Sequence, residues 1–308
     1  MLTVGSRGSQ LALWQARWIQ ARLEGFGVEC RLQIIHTTGD KITDVALSKV
    51  GTKGLFTKEI EEALLDGSID LAVHSLKDLP TELPAGLTLA AIPEREDPRD
   101  ALIGGRLAGL AQRARVGTSS LRRAAQIRAL RPDLQIENIR GNLDTRLRKL
   151  DEGKYDAVVL ASAGLRRLGW ESRITELLEP EVMCPAVGQG ALAVETRDDG
   201  GQAQQICRRL EHAETRIAVT AERAVLASLG GGCQVPIGAH ATVDGAVLRL
   251  RAVVVSPDGS QVIRKESGGR AADAAAIGRA LGDELLAAGG AEILEAVYGA
   301  EADSKLRT

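Results

Sequence analysis

Two successive α/β lobes with mostly parallel sheets, followed by a smaller α+β domain, are what the sequence predicts. Three observations lead there. Strand and helix signals alternate through the first two hundred residues, the pattern of layered α/β structure. The alternation restarts after Pro93-Glu94-Arg95-Glu96-Asp97-Pro98, a charged stretch between two prolines that reads as a linker. After about residue 213 it stops, and one long helix leads to a glycine turn, two extended segments and two alanine-rich helices.

The elements come in this order. Residues 2–5 form a short strand, and 10–24 a helix with Leu11, Leu13, Trp14, Trp18 and Leu23 on its apolar face. Residues 30–36 alternate as a strand, 58–65 are helical, and 69–73 are an apolar run of strand length. Between them, 37–57 is rich in Gly, Lys and Asp without a clear period, and a connection that long is functional or mobile. In the second lobe strands fall at 101–104, 114–117, 135–139 and 156–160. Helices fall at 120–130, 143–151 and 202–210. The last domain has a helix at 215–229, strands at 237–243 and 247–255 around an Asp244-Gly245 turn, and helices near 271–288 and 291–298.

Composition narrows the function. The chain has 308 residues, 44% hydrophobic and 26% charged, ordinary for a globular protein with several cores. No stretch approaches the roughly 18 apolar residues of a membrane span. The first residues lack a basic region followed by an apolar one, so no signal peptide is expected. Cys30, Cys184, Cys207 and Cys233 are widely spaced, which suggests neither a disulfide framework nor a zinc site and points to the cytoplasm. The net charge of −2 hides an asymmetry: residues 105–170 hold 14 Lys and Arg against 6 Asp and Glu. A basic middle on a near-neutral chain calls for an anionic partner.

Several stretches could carry chemistry. Val116-Gly117-Thr118-Ser119-Ser120-Leu121-Arg122-Arg123 runs from a strand into a helix start, where free N–H groups, hydroxyls and guanidiniums make an anion site. Read alone, it is equally an N-cap followed by a solvated arginine pair. Arg140 and Arg146 repeat the arrangement after the next strand, so two strand ends bring four arginines to one rim. Asp78, in Val73-His74-Ser75-Leu76-Lys77-Asp78-Leu79-Pro80, follows an apolar strand and could handle protons or stabilise a cation. Its plainer reading is a loop carboxylate paired with Lys77. Cys233 lies in Gly230-Gly231-Gly232-Cys233-Gln234-Val235-Pro236, where glycines leave room around a sulfur. The alternative there is a helix stop followed by a small buried cysteine.

Metal-ligand spacing, Walker sequences and dinucleotide fingerprints do not occur; Gly188-Gln189-Gly190 is too short for the last. Three classes remain. A nucleic-acid binder is disfavoured because Tyr155 and Trp170 are the only aromatics between 105 and 170. A non-catalytic two-lobed small-anion-binding protein suits two lobes joined near 93–99 and 188–195. An enzyme acting on a polycarboxylate also gives Asp78 and Cys233 roles.

Beyond these residues, the chain resembles the porphobilinogen deaminase (hydroxymethylbilane synthase) family along nearly its whole length. The resemblance is carried, in order, by Ser6-Arg7-Gly8-Ser9-Gln10-Leu11-Ala12, Gly54-Leu55-Phe56-Thr57-Lys58-Glu59, His74 to Pro80, Glu94-Arg95-Glu96-Asp97-Pro98-Arg99-Asp100, Gly117 to Arg123, Arg140-Gly141-Asn142, Pro185-Ala186-Val187-Gly188-Gln189-Gly190 and Gly231 to Gly238. It implies two periplasmic-binding-protein-like lobes, 1–95 with 191–212 and 96–190, and a third domain, 213–308. It also implies a transferase that joins four porphobilinogens onto a dipyrromethane primer, one per chain, with loss of ammonia, and then hydrolyses off hydroxymethylbilane. Cys233 would hold that cofactor as a thioether and Asp78 would be catalytic. Ser75, Lys77, Thr118, Ser119, Arg122, Arg123, Arg140 and Arg146 would bind the cofactor, and Arg7, Arg167 and Lys53 the substrate. The segment 37–57, with Asp40, Lys49 and Lys53, resembles the family's cleft loop. A monomer without nucleic-acid, membrane or metal partners is expected.

Overall fold

The computed structural model describes residues 1–41, 56–231 and 235–306. Cys233, Lys49 and Lys53 lie outside them. The first lobe begins with β1 (Leu2–Ser6), α1 (Gln10–Gly25), β2 (Cys30–Ile34), α2 (Thr38–Lys41), α3 (Lys58–Leu65), β3 (Leu71–Ser75) and β4 (Leu87–Ala91). Ser9 caps α1, its side chain accepting from the Ala12 amide at 3.3 Å, and satisfies one of the helix's orphan donors. The second lobe holds β5 (Asp100–Ile103), β6 (Arg115–Gly117), α4 (Leu121–Leu130), β7 (Gln135–Glu137), α5 (Leu143–Asp151), β8 (Ala157–Ala161), α6 (Ser162–Arg167) and β9 (Glu176–Leu178). The chain then returns to the first lobe through β10 (Leu192–Arg197) and α7 (Gln202–Cys207).

Both lobes have one topology. The first sheet is ordered β2-β1-β3-β10-β4 and the second β7-β6-β8-β5-β9. In each, four strands run the same way and one runs against them: β10 in the first and β5 in the second. The reversed strand is the one that enters its lobe from the other. Side chains alternate across these strands, so both faces need cover. In the second lobe Val116, Ala157 and Val159 pack with Ile127 of α4, while Val158 and Leu160 pack with Leu147 and Leu165 of α5 and α6.

The predicted elements are present, with shifts of a residue or two at most ends. The apolar run at 69–73 is displaced: Ile69 and Asp70 precede the strand, which continues through His74 and Ser75. Strands β4, β9, β10 and β13 (Val262–Arg270) are additions to the sequence reading, as is the short helix α6. β13 is an edge strand exposed along most of its length, so it lacks the apolar alternation that reveals a strand.

The remaining chain forms α8 (Ala213–Ser228), an antiparallel sheet of β11 (Ile237–Asp244), β12 (Val247–Val255) and β13, then α9 (Ala274–Leu285) and α10 (Ala291–Leu306). Its core joins Val225 and Leu229 of α8 to Ala239, Leu250 and Val254 of the sheet and Leu281 of α9. The β11–β12 turn falls on Gly245-Ala246, between the paired Asp244 and Val247. Glu222, fully buried on α8, ties this unit to the interlobe connections. It pairs with Arg95 at 2.6 Å and accepts from the amides of Gly188 at 2.7 Å and Ala241 at 2.8 Å.

The two connections cross at Gly190. Its carbonyl accepts from the Glu96 amide, its φ is +89°, and a Cβ there would lie 2.3 Å from the Glu96 oxygen. Any side chain would force the crossing strands apart, so the joint requires glycine. Among the described residues no helix is long and apolar enough to cross a membrane.

Candidate active site

A cleft of about 250 Å³ opens between the lobes. Its position reflects strand direction: β1 and β3 of one lobe, and β8 of the other, end at it, and such carboxyl edges are where α/β sheets bind ligands. β1 delivers Arg7. β3 delivers Ser75 and then, through a short 3₁₀ turn, Lys77 and Asp78. α4 delivers Arg123, α5 Arg146, and α6 Arg167. Seven of the residues expected from the sequence thus share one cavity: Arg7, Ser75, Lys77, Asp78, Arg123, Arg146 and Arg167.

Four others take different positions. Arg122 turns into the second lobe, where it donates to the Asp100 carboxylate and the Cys184 carbonyl, both at 2.6 Å. Thr118 is buried and accepts from the Ser120 amide at 3.2 Å. The Ser119 hydroxyl donates to Asn138 Oδ1 at 2.5 Å and to the Ile139 carbonyl. Arg140 is not among the cleft-lining residues, although its charge acts on Arg146.

Asp100 is the anchor beneath the rim. It is the first residue of β5, whose antiparallel pairing sets it opposite Ala161 at the cleft end of β8. Burial alone would favour its neutral form. The Arg122 and Arg123 guanidiniums, 2.6 and 2.8 Å away, outweigh that and hold the carboxyl far below its usual range. Arg123 donates also to the Val159 carbonyl at 3.2 Å and to Gln189 at 3.3 Å.

Gln189 was not singled out from the sequence as a site residue. It is fully buried at the interlobe crossing. Its amide donates to Asp100 at 2.9 Å and to the Pro98 carbonyl at 2.7 Å, and its oxygen accepts from Arg123 and, at 3.5 Å, from Lys77. One side chain thereby connects a cation of each lobe. The available signal was a lone polar residue within an otherwise apolar, glycine-flanked connection.

Positive charge in the cleft is under-compensated. Burial brings the Lys77 ammonium down to about 8, with Arg123 and Arg122 adding to the shift and Asp78 opposing it. Arg146 is brought down to about 10 by burial and then by the charges of Arg123 and Arg140. Arg167 falls to about 10 chiefly through burial, while its guanidinium donates to the Gly190 carbonyl at 2.6 Å. Such a group of crowded, desolvated cations is stabilised when carboxylates complete it. Two carboxylates line the cleft among the described residues, Asp78 and Asp144. Asp78 is exposed and acts electrostatically on both Lys77 and Arg146; Asp144 sits in the first turn of α5, favourable to its dipole. No group of three His, Cys, Asp or Glu among the described residues could hold a metal.

Fold and site define a protein of two α/β lobes, joined by two crossing connections, with a cleft between them lined by more cations than carboxylates. Comparison with known proteins narrows this class. The family model described as porphobilinogen deaminase, dipyromethane cofactor binding domain, matches residues 2–205, and that of the porphobilinogen deaminase C-terminal domain matches 216–287. The porphobilinogen deaminase of Syntrophobacter fumaroxidans is 52% identical over 303 residues, covering 97% of this chain and 98% of that protein. That of Trichlorobacter lovleyi is 54% identical over 301 residues, 96% of each. Among solved structures, an ABC-transporter periplasmic substrate-binding protein from Coxiella burnetii aligns at a TM-score of 0.43 and 14% identity, covering 72% of this chain and 97% of that one. The chain belongs to the porphobilinogen deaminase family.

Proposed function

We propose that the interlobe cleft is where this chain, a transferase of hydroxymethylbilane synthesis, joins four porphobilinogens with loss of ammonia and then releases linear hydroxymethylbilane by hydrolysis. The carrying observation is that Asp78 of one lobe opens onto the same cavity as Arg123, Arg146 and Arg167 of the other. Porphobilinogen bears an acetate and a propionate on an aromatic ring, so a cation-lined cleft with one well-placed acid matches both of its demands.

The dipyrromethane cofactor, one per chain, would be held by Cys233 and would supply the free pyrrole α-carbon to which substrate is added. The residues present suit such a group: Lys77, Arg123 and Arg146 form an under-neutralised cationic set, and the group is a polycarboxylate. Ser75 adds a hydroxyl, itself held by Gln15 at 3.0 Å. Arg122 holds Asp100 beneath the rim; Thr118, Ser119, Arg122 and Arg140 remain proposed cofactor contacts, and Lys53 a proposed substrate contact. The other three cysteines are buried, and desolvation pushes their thiols up, Cys184 and Cys207 to about 12. They are therefore poor nucleophiles at neutral pH, which favours Cys233 as the attachment point.

Arg7 and Arg167 orient incoming substrate through its carboxylates. The Asp78 carboxylate accepts from the pyrrole N–H and stabilises positive charge that develops on that nitrogen as ammonia leaves. The same oxygens would take the proton released when the new carbon–carbon bond forms. The chain works as three units, 1–95 with 191–212, 96–190 and 213–308, each corresponding to one sheet. It acts as a cytoplasmic monomer, which sedimentation of the purified chain and localisation of a tagged form will check.

Intact mass is the direct test. The active chain should exceed its bare mass by two porphobilinogens less two ammonias, and should grow stepwise with limiting substrate. An unmodified mass in active protein refutes the attachment, and binding without stepwise growth would favour an anion-binding protein.

A further inference from the structure

A second groove adjoins the cleft on α1. It encloses about 490 Å³ and is lined by Gln10, Trp14, Arg17, Trp18, Arg167 and Leu168. Gln10, Arg167 and Leu168 line the cleft as well, so the two cavities are continuous. Trp14 and Trp18 lie one turn apart, their rings stacked with centroids 6.5 Å apart and planes at 25°. Both are half-buried, and Arg17 between them is exposed. The Arg167 guanidinium stands 5.9 Å from the Trp14 ring, and Arg22 lies 3.2 Å over that of Trp18. A chain with only three tryptophans thus places two of them, flanked by arginines, beside its cleft.

We propose that this groove is a subsite for the carboxylate-bearing pyrrole rings of the elongated chain, distinct from the positions at Asp78. The inference rests on the function proposed above. Space favours it: pockets for a single drug-sized ligand enclose roughly 300–1,000 Å³, while the cleft of about 250 Å³ must serve a chain several rings long. Chemistry selects the occupant. An indole face suits a flat, electron-rich pyrrole in offset or edge contact, and guanidiniums on either side suit its acetate and propionate. Arg167, facing both cavities, bridges them. Trp18 also packs against the first lobe's core, whereas Trp14 joins none of the buried apolar clusters among the described residues and lines the groove half-buried, beside Trp18 and Arg167.

The test is intact mass spectrometry of the holoprotein after limiting porphobilinogen, on Trp14→Leu, Arg17→Glu and the conservative Trp14→Phe. In the two disruptive variants, species carrying the third and fourth added rings should fall about tenfold relative to the first adduct, the loss expected for a stacking contact or an ion pair. Trp14→Phe should restore them. Tryptophan emission gives a second readout: quenching on elongation should shrink in Trp14→Phe. An adduct ladder unchanged in the disruptive variants overturns the subsite. So does an equal loss of every adduct, the first included. A wild-type chain lacking the cofactor mass would instead sink the parent function, and the subsite with it.

Discussion

The two lobes share a strand order and one reversed strand each, yet they bring different chemistry to the cleft. The first lobe contributes Asp78 on a short turn, exposed and next to a lysine. The second contributes Arg123 and Arg167, both buried, and Arg146, set in helices. Their common sheet fixes where strands end; the turn or helix after each strand decides which side chains reach the cleft, Arg7, Lys77 and Asp78 from the first lobe and Arg123, Asp144, Arg146 and Arg167 from the second. A cation that must hold successive carboxylates gains from rigid support, whereas a proton-handling acid needs access to the reacting atoms.

The sharpest way to break this contrast is Asp78→Asn. It should keep the cofactor mass and lose turnover by about 10²–10⁴-fold, the range of a general acid or base. Asp144→Asn, the other cleft carboxylate, should stay within about threefold. Near-normal turnover in Asp78→Asn would remove the functional asymmetry.

Within the second lobe, Arg122→Leu and Arg146→Leu should separate support from binding. The first breaks a fully buried ion pair and should cost about 3 kcal/mol in denaturant unfolding, a value moderated because Asp100 keeps Arg123 and Gln189. The second should unfold like the parent but raise the KM for porphobilinogen about tenfold, one charge-assisted contact. If Arg122→Leu is no less stable than the parent, its assignment to the interior fails.

Lys77 gives the first lobe a pH signature. Its ammonium is charged below about 8 and neutral above, so its hold on carboxylates is present at neutral pH and lost as pH rises through that value. KM measured from pH 7 to 10 should climb in the parent, and the rise should be displaced upward in Lys77→Arg, whose guanidinium stays charged. Coincident profiles would remove Lys77 from ligand binding. The smallest effect belongs to Gln189→Met, which keeps the volume but unlinks Lys77 from Arg123. We expect about 1 kcal/mol of stability and a few-fold rise in KM; no change in either would reduce Gln189 to filler.

Much of this was legible in the sequence because strand carboxyl edges convene ligands, and Ser75, Asp78, Arg123 and Arg146 all come after predicted strands. Arg122 and Arg123 show the limit. Neighbours on a helix point about 100° apart, and nothing in the pair itself says which one faces the cleft. Thr118 and Ser119 show a second limit, since hydroxyls at a helix start serve local hydrogen bonds as readily as ligands, and both make such bonds here. Strand β10 went unread since it pairs only with strands distant in sequence, and β13 because only Val262 and Ile263, at its start, are large apolar residues. The continuity of groove and cleft depends on α6 reaching α1, a contact no local pattern encodes.

The crossing at Gly190 also dictates an order of assembly. Strand β10 lies between β3 and β4, so the first lobe lacks an interior strand until residue 197 has been synthesised. All the strands of the second lobe, from Asp100 to Leu178, are contiguous and complete before then. On the ribosome, the later-encoded lobe can close its sheet first, while the earlier one waits with two open edges for its last strand.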